Sequence, residues 1–391
     1  MLVTSREKHV DRIRIAVIGT RGIPNIQGGI ERYCEALYSR LATDFDITLY
    51  ARSPYFRSDQ RPREWKGVRI RYIWSPRNVH LETIVHTLLC LLILMVRRPD
   101  IIHIHGIGPA ILVPLARFCA RRLVLTHQGE DYRRSKWGAI ARIVLKIGER
   151  LGVRYSDSVL CVSRTLLESV RRRLKGKLVY IPNGVSTGPV LPQGVYSNEL
   201  GISGKRYAMT ACRFVPEKGI LELIEAFQRI EDAEFRLVIA GDADHETDYS
   251  RKVRLRSIED SRIILTGAIH GSRIAELYSN AAVFVLPSSH EGLPLAVLEA
   301  LGYGLPVLIS RIPQHLELNL PDSWYCKPRD ATEIRQHLLT HLNSPRDHSL
   351  CESIATRIKN EYNWDRIADE IRVLFRSLVP IDPQNERRSS T

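Results

Sequence analysis

Short apolar runs, each followed by a stretch of helical periodicity, fill nearly the whole chain and come in two series. In the first, IRIAVI (13–18), DITLYA (46–51), VRIRYIW (68–74), DIIHIH (100–105), LVLTH (123–127) and runs at 158–162 and 177–181 read as strands. Helical spacing recurs between them, as in Ile30, Tyr33, Cys34, Leu37 and Leu41, and helices are expected through 80–96, near 109–122 and through 137–154. Around 184–204 the periodicity gives way to a stretch rich in proline and glycine, which marks a linker. The second series runs through RYAMTA, FRLVIA, RIILTG, VFVLP and VLIS. Its helices are expected at 218–230, 246–258, 272–280, 294–303, 330–342, 347–361 and 364–378. Apolar strands alternating with helices call for mostly parallel sheets covered on both faces. The expectation is an α/β fold of two Rossmann-like, doubly wound domains facing a central cleft, over 1–190 and 191–363. Whether the last helix, about 364–391, returns to the first domain is left open by the sequence.

A length of 391 residues exceeds one ordinary core, and 44% apolar with 26% charged residues is usual for a globular chain. A net charge of +14 is not usual, and points either to phosphate in a partner (nucleic acid, anionic lipid or a phosphorylated substrate) or to a solubilising surface, between which charge alone does not choose. The seven cysteines show no CxxC spacing and sit among apolar residues, as buried thiols in a reducing compartment do. MLVTSREKHV at the N-terminus lacks a signal-peptide core, and the longest apolar run, TLLCLLILMV (87–96), is too short to span a bilayer. The expected location is the cytoplasm.

Three stretches carry chemistry. HEGLPLAVLEALGYGLPVLIS (290–310) follows a buried strand and places Glu291 and Glu299 on either side of a turn into a short helix. That delivers a carboxylate and a helix N-terminus to the crevice where open α/β sheets bind ligands. ACRFVPEKG (211–219) ends the first strand of the second series, so Arg213 and Lys218 form a fork and a point charge suited to a diphosphate. GTRGIPNIQGG after the first strand is a glycine loop opening a helix; alone it is as readily a tight turn as a phosphate cradle.

Taken together, PEKG, AGD, LTG and EGLPLAVLEA resemble the second domain of the family 4 retaining glycosyltransferases of the GT-B fold. GG-x-ER, DIIHIHG, the strand ending in His127 and IPNGV (181–185) resemble the first domain, and the likeness covers about 12–378. GTRGIP and EDYRRSKWG are similar to the rhamnosyltransferase-like subgroup. The resemblance implies an enzyme that moves a sugar from a nucleoside-diphosphate donor to a glycan or lipid-linked acceptor, in cell-surface polysaccharide or glycolipid synthesis. It implies a first domain for the acceptor and a second for the donor, with no cofactor or metal. Glu299 then holds the ribose, Glu291 the donor sugar, Arg213 and Lys218 the departing diphosphate, and Gly28 and Gly29 close over it. Gly292, Leu293, Pro294 and Leu295 complete the donor loop, and His127 lies near the donor sugar and acceptor. Pro294 stands where many members have glycine, a stiffer choice that suits a first helical turn. Sugar transfer needs charge stabilised on the leaving phosphate more than it needs a strong base. Attack within an ion pair on the same face is favoured over a covalent carboxylate intermediate.

Other features have a plainer reading. Asp242-Ala243-Asp244 spells a metal-binding DxD but ends a strand in the wrong context. His103 and His105 alternate onto one face without a third ligand. Arg133, Arg134, Lys136, Arg142, Lys146, Arg150 and Arg154 accompany Trp137, Ile140, Ile143, Val144 and Ile147, a basic amphipathic pattern compatible with core packing or with an anionic membrane, such as the inner face of the plasma membrane. The Arg171–Arg173, Lys175 and Lys177 cluster is a weaker candidate, and neither interleaves aromatics as a nucleic-acid platform does. A nicotinamide-dependent oxidoreductase lacks its GxGxxG and an acidic residue closing the second strand. A non-catalytic basic protein that docks on membranes or nucleic acid leaves the paired glutamates without a use.

Overall fold

The computed structural model describes residues 12–78, 81–134 and 137–380. Eight strands form the first sheet: β1 (Arg14–Ile18), β2 (Asp46–Arg52), β3 (Glu64–Trp65), β4 (Val68–Ile73), β5 (Ile101–His105), β6 (Arg122–His127), β7 (Ser158–Cys161) and β8 (Leu178–Tyr180). They lie in the order β3-β4-β2-β1-β5-β6-β7-β8, parallel except for the β3–β4 pair. Six more form the second: β9 (Arg206–Ala211), β10 (Phe235–Ala240), β11 (Ile263–Gly267), β12 (Val283–Leu286), β13 (Val307–Ser310) and β14 (Tyr325–Cys326). Their order is β11-β10-β9-β12-β13-β14, and every pairing is parallel. Both sheets reverse strand order beside their first strand, β1 against β5 and β9 against β12. Such switch points are where the carboxyl ends of open sheets leave a crevice.

Central strands such as β5, β7, β12 and β13 are buried at every position, the consequence of helices on both faces. The final helix, Trp364–Leu378, packs beside the first helix, Gly29–Leu41. Phe375 meets Phe45 edge-on at 5.7 Å, while Asp365 accepts from Arg40 at 2.7 Å. The chain therefore passes between the sheets twice, and the two passages touch: the Val185 amide donates to the Tyr362 carbonyl at 2.7 Å. A side chain on Gly184 would lie 2.4 Å from the Trp364 indole.

The segment expected as one helix near 109–122 is a single turn over Pro109–Leu112 and a four-residue helix, Val113–Ala116. Pro109 and Pro114 remove amides that a longer helix would use. The linker contains a short helix, Val195–Glu199, and a helix at Arg164–Arg173 follows β7 where none was expected. Lys136 and the tail beyond 380, including the end of the helix expected to 391, lie outside the described residues.

Candidate functional site

β9 ends just before Arg213, and the turn Pro216–Lys218 that follows brings Lys218 to the same edge. β12 ends at Leu286, and the loop beyond it carries Glu291 into contact with that turn: Lys218 Nζ lies 2.6 Å from Glu291 Oε1. The Ser288 hydroxyl donates to the same oxygen at 2.6 Å. Burial pushes the Glu291 carboxyl up, but Lys218 beside it outweighs this and holds it below the usual range. Glu299 sits in the next helix, Leu295–Gly302. Burial raises its pKa above the ordinary value, and contacts from Arg32 and the Tyr278 hydroxyl offset only part of the shift. Pro294 stands at the cap of this helix, where its carbonyl accepts from Val297 at 3.1 Å and its missing amide is not called on.

The facing wall comes from the first domain. Gly28 adopts φ 150°, and a side chain there would lie 2.0 Å from Glu31 Oε2. Glu31 turns back to accept from the Arg21 amide at 3.0 Å and the Thr20 hydroxyl at 3.3 Å, which fastens the loop after β1 to the helix start. Beside Gly29 no heavy atom lies within 4 Å of where a Cβ would stand, so the positive end of helix Gly29–Leu41 has room for an anion. Arg32, one turn on, forms an ion pair with Glu299 across the cleft. Arg21 reaches Asp244 with both Nη atoms at 2.7 Å, and Arg213 reaches the same carboxylate at 2.9 Å. Gly28, Gly29, Arg213, Lys218, Glu291, Gly292, Leu293, Pro294 and Leu295 all line one cavity of about 870 Å³ between the sheets. Glu299 lies behind this wall, reached through Arg32. At Gly292 the two walls meet backbone to backbone: a Cβ there would fall 2.0 Å from the Gln128 carbonyl oxygen.

His127 is not brought to this cavity. Its ring is fully buried, Nε2 lies 2.9 Å from Glu149 Oε1, and Nδ1 accepts from the Gly129 amide at 3.3 Å. An amide can only donate, so Nδ1 is the acceptor and Nε2 carries the proton given to Glu149. Both ring nitrogens are engaged inside the first domain, and the next residue, Gln128, lines the cavity where His127 does not. His103 and His105 share the Tyr38 hydroxyl at 2.8 and 2.6 Å, and burial holds both rings neutral. Asp242 and Asp244 are held by arginines, Arg254 at 2.5 Å on the former. Among the described residues no three His, Cys, Asp or Glu side chains gather as a metal site.

Arg21, Arg32, Asp244 and Asn183 were not assigned a role from sequence. Asn183 donates to the Leu293 carbonyl at 2.7 Å and so ties the 291–295 loop to the start of the linker. All four sit in quoted motifs (GTRGIP, GG-x-ER, DAD and IPNGV), which was the available signal.

Two parallel-sheet domains facing such a cleft are the GT-B architecture. Residues 27–188 match the family described as Glycosyltransferase Family 4, and residues 195–372 match the glycosyl transferases group 1. Between them the matches take in nearly the whole chain, which belongs to the glycosyltransferases of the GT-B fold. It is 27% identical over 284 residues to a putative teichuronic acid biosynthesis glycosyltransferase of Bacillus subtilis, covering 70% of this chain but only 65% of that relative's length. It is 26% identical over 322 residues to the UDP-Gal:alpha-D-GlcNAc-diphosphoundecaprenol alpha-1,3-galactosyltransferase of Escherichia coli, covering 78% and 82% of the two chains. Sucrose-phosphate synthase of Thermosynechococcus elongatus superposes with a TM-score of 0.79 at 20% identity, over 94% of this chain and 99% of that one. Anabaena HepE in complex with UDP-glucose superposes at 0.75 and 14% identity, over 93% and 99%. No helix among the described residues is long and apolar enough to cross a membrane.

Proposed function

We propose that the chain transfers a sugar, with retention and without a metal, from a nucleoside-diphosphate donor to a glycan or lipid-linked acceptor. The observation that carries this reading is the convergence of Arg213, Lys218, Glu291 and the Gly28–Gly29 helix start on one cleft, with Glu299 just behind. Two cations and a helix N-terminus are what a departing diphosphate needs. A donor phosphate drawing Lys218 away from Glu291 frees that carboxylate for sugar hydroxyls. Glu299, released from Arg32, accepts the ribose hydroxyls. The acceptor then attacks on the face the phosphate leaves, within an ion pair, and the phosphate takes its proton. His127 acts at one remove, by holding the loop that carries Gln128.

The likeness to a galactosyltransferase named for a diphosphoundecaprenol-linked substrate supports a lipid-linked acceptor and a role in cell-surface polysaccharide or glycolipid synthesis. GTRGIP and EDYRRSKWG favour the rhamnosyltransferase-like subgroup. Exposed apolar residues support peripheral contact with the inner face of the plasma membrane from the cytoplasm: Ile140, Ile143 and Ile147 on one helix, Leu88, Leu92, Met95 and Val96 on another.

A thermal-shift screen of UDP, GDP, ADP and dTDP sugars identifies the donor, since a bound ligand stabilises according to its occupancy. Lys218→Ala and Glu299→Ala are then expected to weaken donor binding and to lower turnover by at least about 10²-fold. Near-normal turnover of either variant with that donor sinks the assignment.

A further inference from the structure

Two arginines from opposite domains close on one carboxylate beside the start of helix Gly29–Leu41. Arg21, on the loop after β1, grips Asp244 with both Nη atoms at 2.7 Å, and Arg213 adds a third contact at 2.9 Å. All three side chains are largely sequestered and all line the cleft. Arg21 is also braced from its own side, donating to the Gln27 carbonyl at 3.1 Å and lying 5.3 Å over the Tyr55 ring. Gln27 in turn reaches the Asp242 carbonyl at 3.3 Å, and Gly28 and Gly29 follow it directly.

Two guanidinium groups share the Asp244 carboxylate, Glu31 adds a second negative charge beside Arg21, and the neighbouring Lys218 pairs with Glu291. A latch between domains needs a single arginine on Asp244, and here two converge on it from opposite walls of the cleft. A fork of paired N–H groups is the geometry that grips a phosphate in two-point fashion. The Asp244 carboxylate takes Arg21 in the two-point manner that an oxyanion would, with Arg213 on the same group.

We propose that Arg21 is a third donor-diphosphate cation, contributed by the first domain, and that Asp244 stands in for the phosphate until the donor arrives. This rests on the donor-site reading of the cleft. On binding, the diphosphate takes the arginine forks that Asp244 held, so Arg21 reaches the donor only when the two domains are together. Asp244 thus serves the acidic pair of the DAD motif as an internal competitor rather than as a metal ligand.

The test compares nucleoside diphosphate with monophosphate. Whichever of UDP, GDP, ADP and dTDP most stabilises the wild-type chain is titrated calorimetrically against wild type, Arg21→Lys and Asp244→Asn, in parallel with its monophosphate. Arg21→Lys keeps the charge and loses the fork; diphosphate affinity is expected to fall about tenfold with monophosphate affinity unchanged. Asp244→Asn removes the competitor, and diphosphate affinity is expected to rise severalfold. Equal losses for both nucleotides with Arg21→Lys, or none for either, assign Arg21 to holding the domains and overturn the proposal. Weaker diphosphate binding by Asp244→Asn overturns the stand-in role. Failure of wild type to bind any of the four overturns the donor-site reading itself, a distinguishable result.

Discussion

A histidine at the end of a strand pointing towards a cleft either touches the substrate or holds the loop that does, and its partners decide which. His127 gives its Nε2 proton to Glu149, Glu149 also accepts from Arg173 at 2.7 Å, and Arg173 reaches Glu130 at 2.8 Å. Glu130 in turn accepts from Tyr132 and Ser169. The network pins the loop after β6, whose Gln128 carbonyl abuts Gly292. Burial pushes the Glu149 carboxyl up, but hydrogen bonds from His127 and Arg173 outweigh this and bring it from 4.5 to about 2. Because the unfolded chain then binds that proton more tightly, the stabilisation is complete above about pH 4.5 and is lost as the pH falls towards 2. Glu149→Gln keeps the shape without the titration. The drop in Tm between about pH 6 and about pH 3 is expected to be smaller in the variant than in wild type; an equal drop would show that Glu149 does not contribute to acid unfolding. None of this was legible at residue 127 alone, since Glu149 and Arg173 come from later helices. The same holds for Arg21 and Arg32, whose carboxylates lie in the other domain, whereas Arg213, Lys218 and Glu291 belong to adjacent strand ends and declared themselves by motif.

Periodicity located most elements, but it does not say what a helix faces. Ala139–Tyr155 was visible as a basic helix with an apolar stripe, a pattern shared by core-packed and membrane-facing helices. In the fold its inner face carries Leu145, Gly148, Glu149, Gly152 and Val153, leaving Ile140 80% and Ile143 58% exposed. Helix Glu82–Arg97 buries Cys90, Leu91 and Leu94 and turns Leu88, Leu92, Met95 and Val96 outward. Pro109–Leu112 contacts both helices, and Ile84 and Ile140 line the cleft, so the exposed apolar faces continue into its mouth. The only carboxylates on the two helices, Glu82 and Glu149, are buried against arginines, while Arg142, Lys146, Arg150 and Arg154 are the charges that the proposed membrane contact would set against anionic lipid. Arg164–Arg173 escaped notice because its three buried residues, Leu166, Leu167 and Val170, are outnumbered by charges. The double variant Ile140→Glu, Ile143→Glu removes two insertable side chains worth together about 3 kcal/mol or more. Sedimentation with anionic vesicles is expected to fall by on the order of a hundredfold in partition, with Tm unchanged. Undiminished vesicle binding would move the docking surface elsewhere.

At the scale of the molecule, the domains meet at charged pairs that a ligand can replace and at a backbone contact that it cannot. Arg21–Asp244 and Arg32–Glu299 are the exchangeable kind. Gly292 against the Gln128 carbonyl is the fixed kind, for neither backbone can rotate away as a side chain would. Behind them, the two passages between the sheets pair at Val185 and Asn363. Trp364 packs there against Gly184 and, edge-on at 5.4 Å, against Tyr33 of the helix that carries Arg32. The Gly28–Gly29 helix start and the 291–295 loop therefore face each other across the cleft, with the two walls in backbone contact at residue 292. Gly292→Ala places a methyl in that contact and is expected to hold the domains apart. Turnover should fall by roughly 10²-fold, the effect of about an ångström of misplacement between reacting groups, while nucleotide affinity, on the proposed donor site, is expected to fall far less. Small-angle scattering with nucleotide bound should give a larger radius of gyration than wild type. If turnover and radius both match wild type, the Gly292–Gln128 contact is not part of the working closed state, and the first domain must reach the donor by another approach.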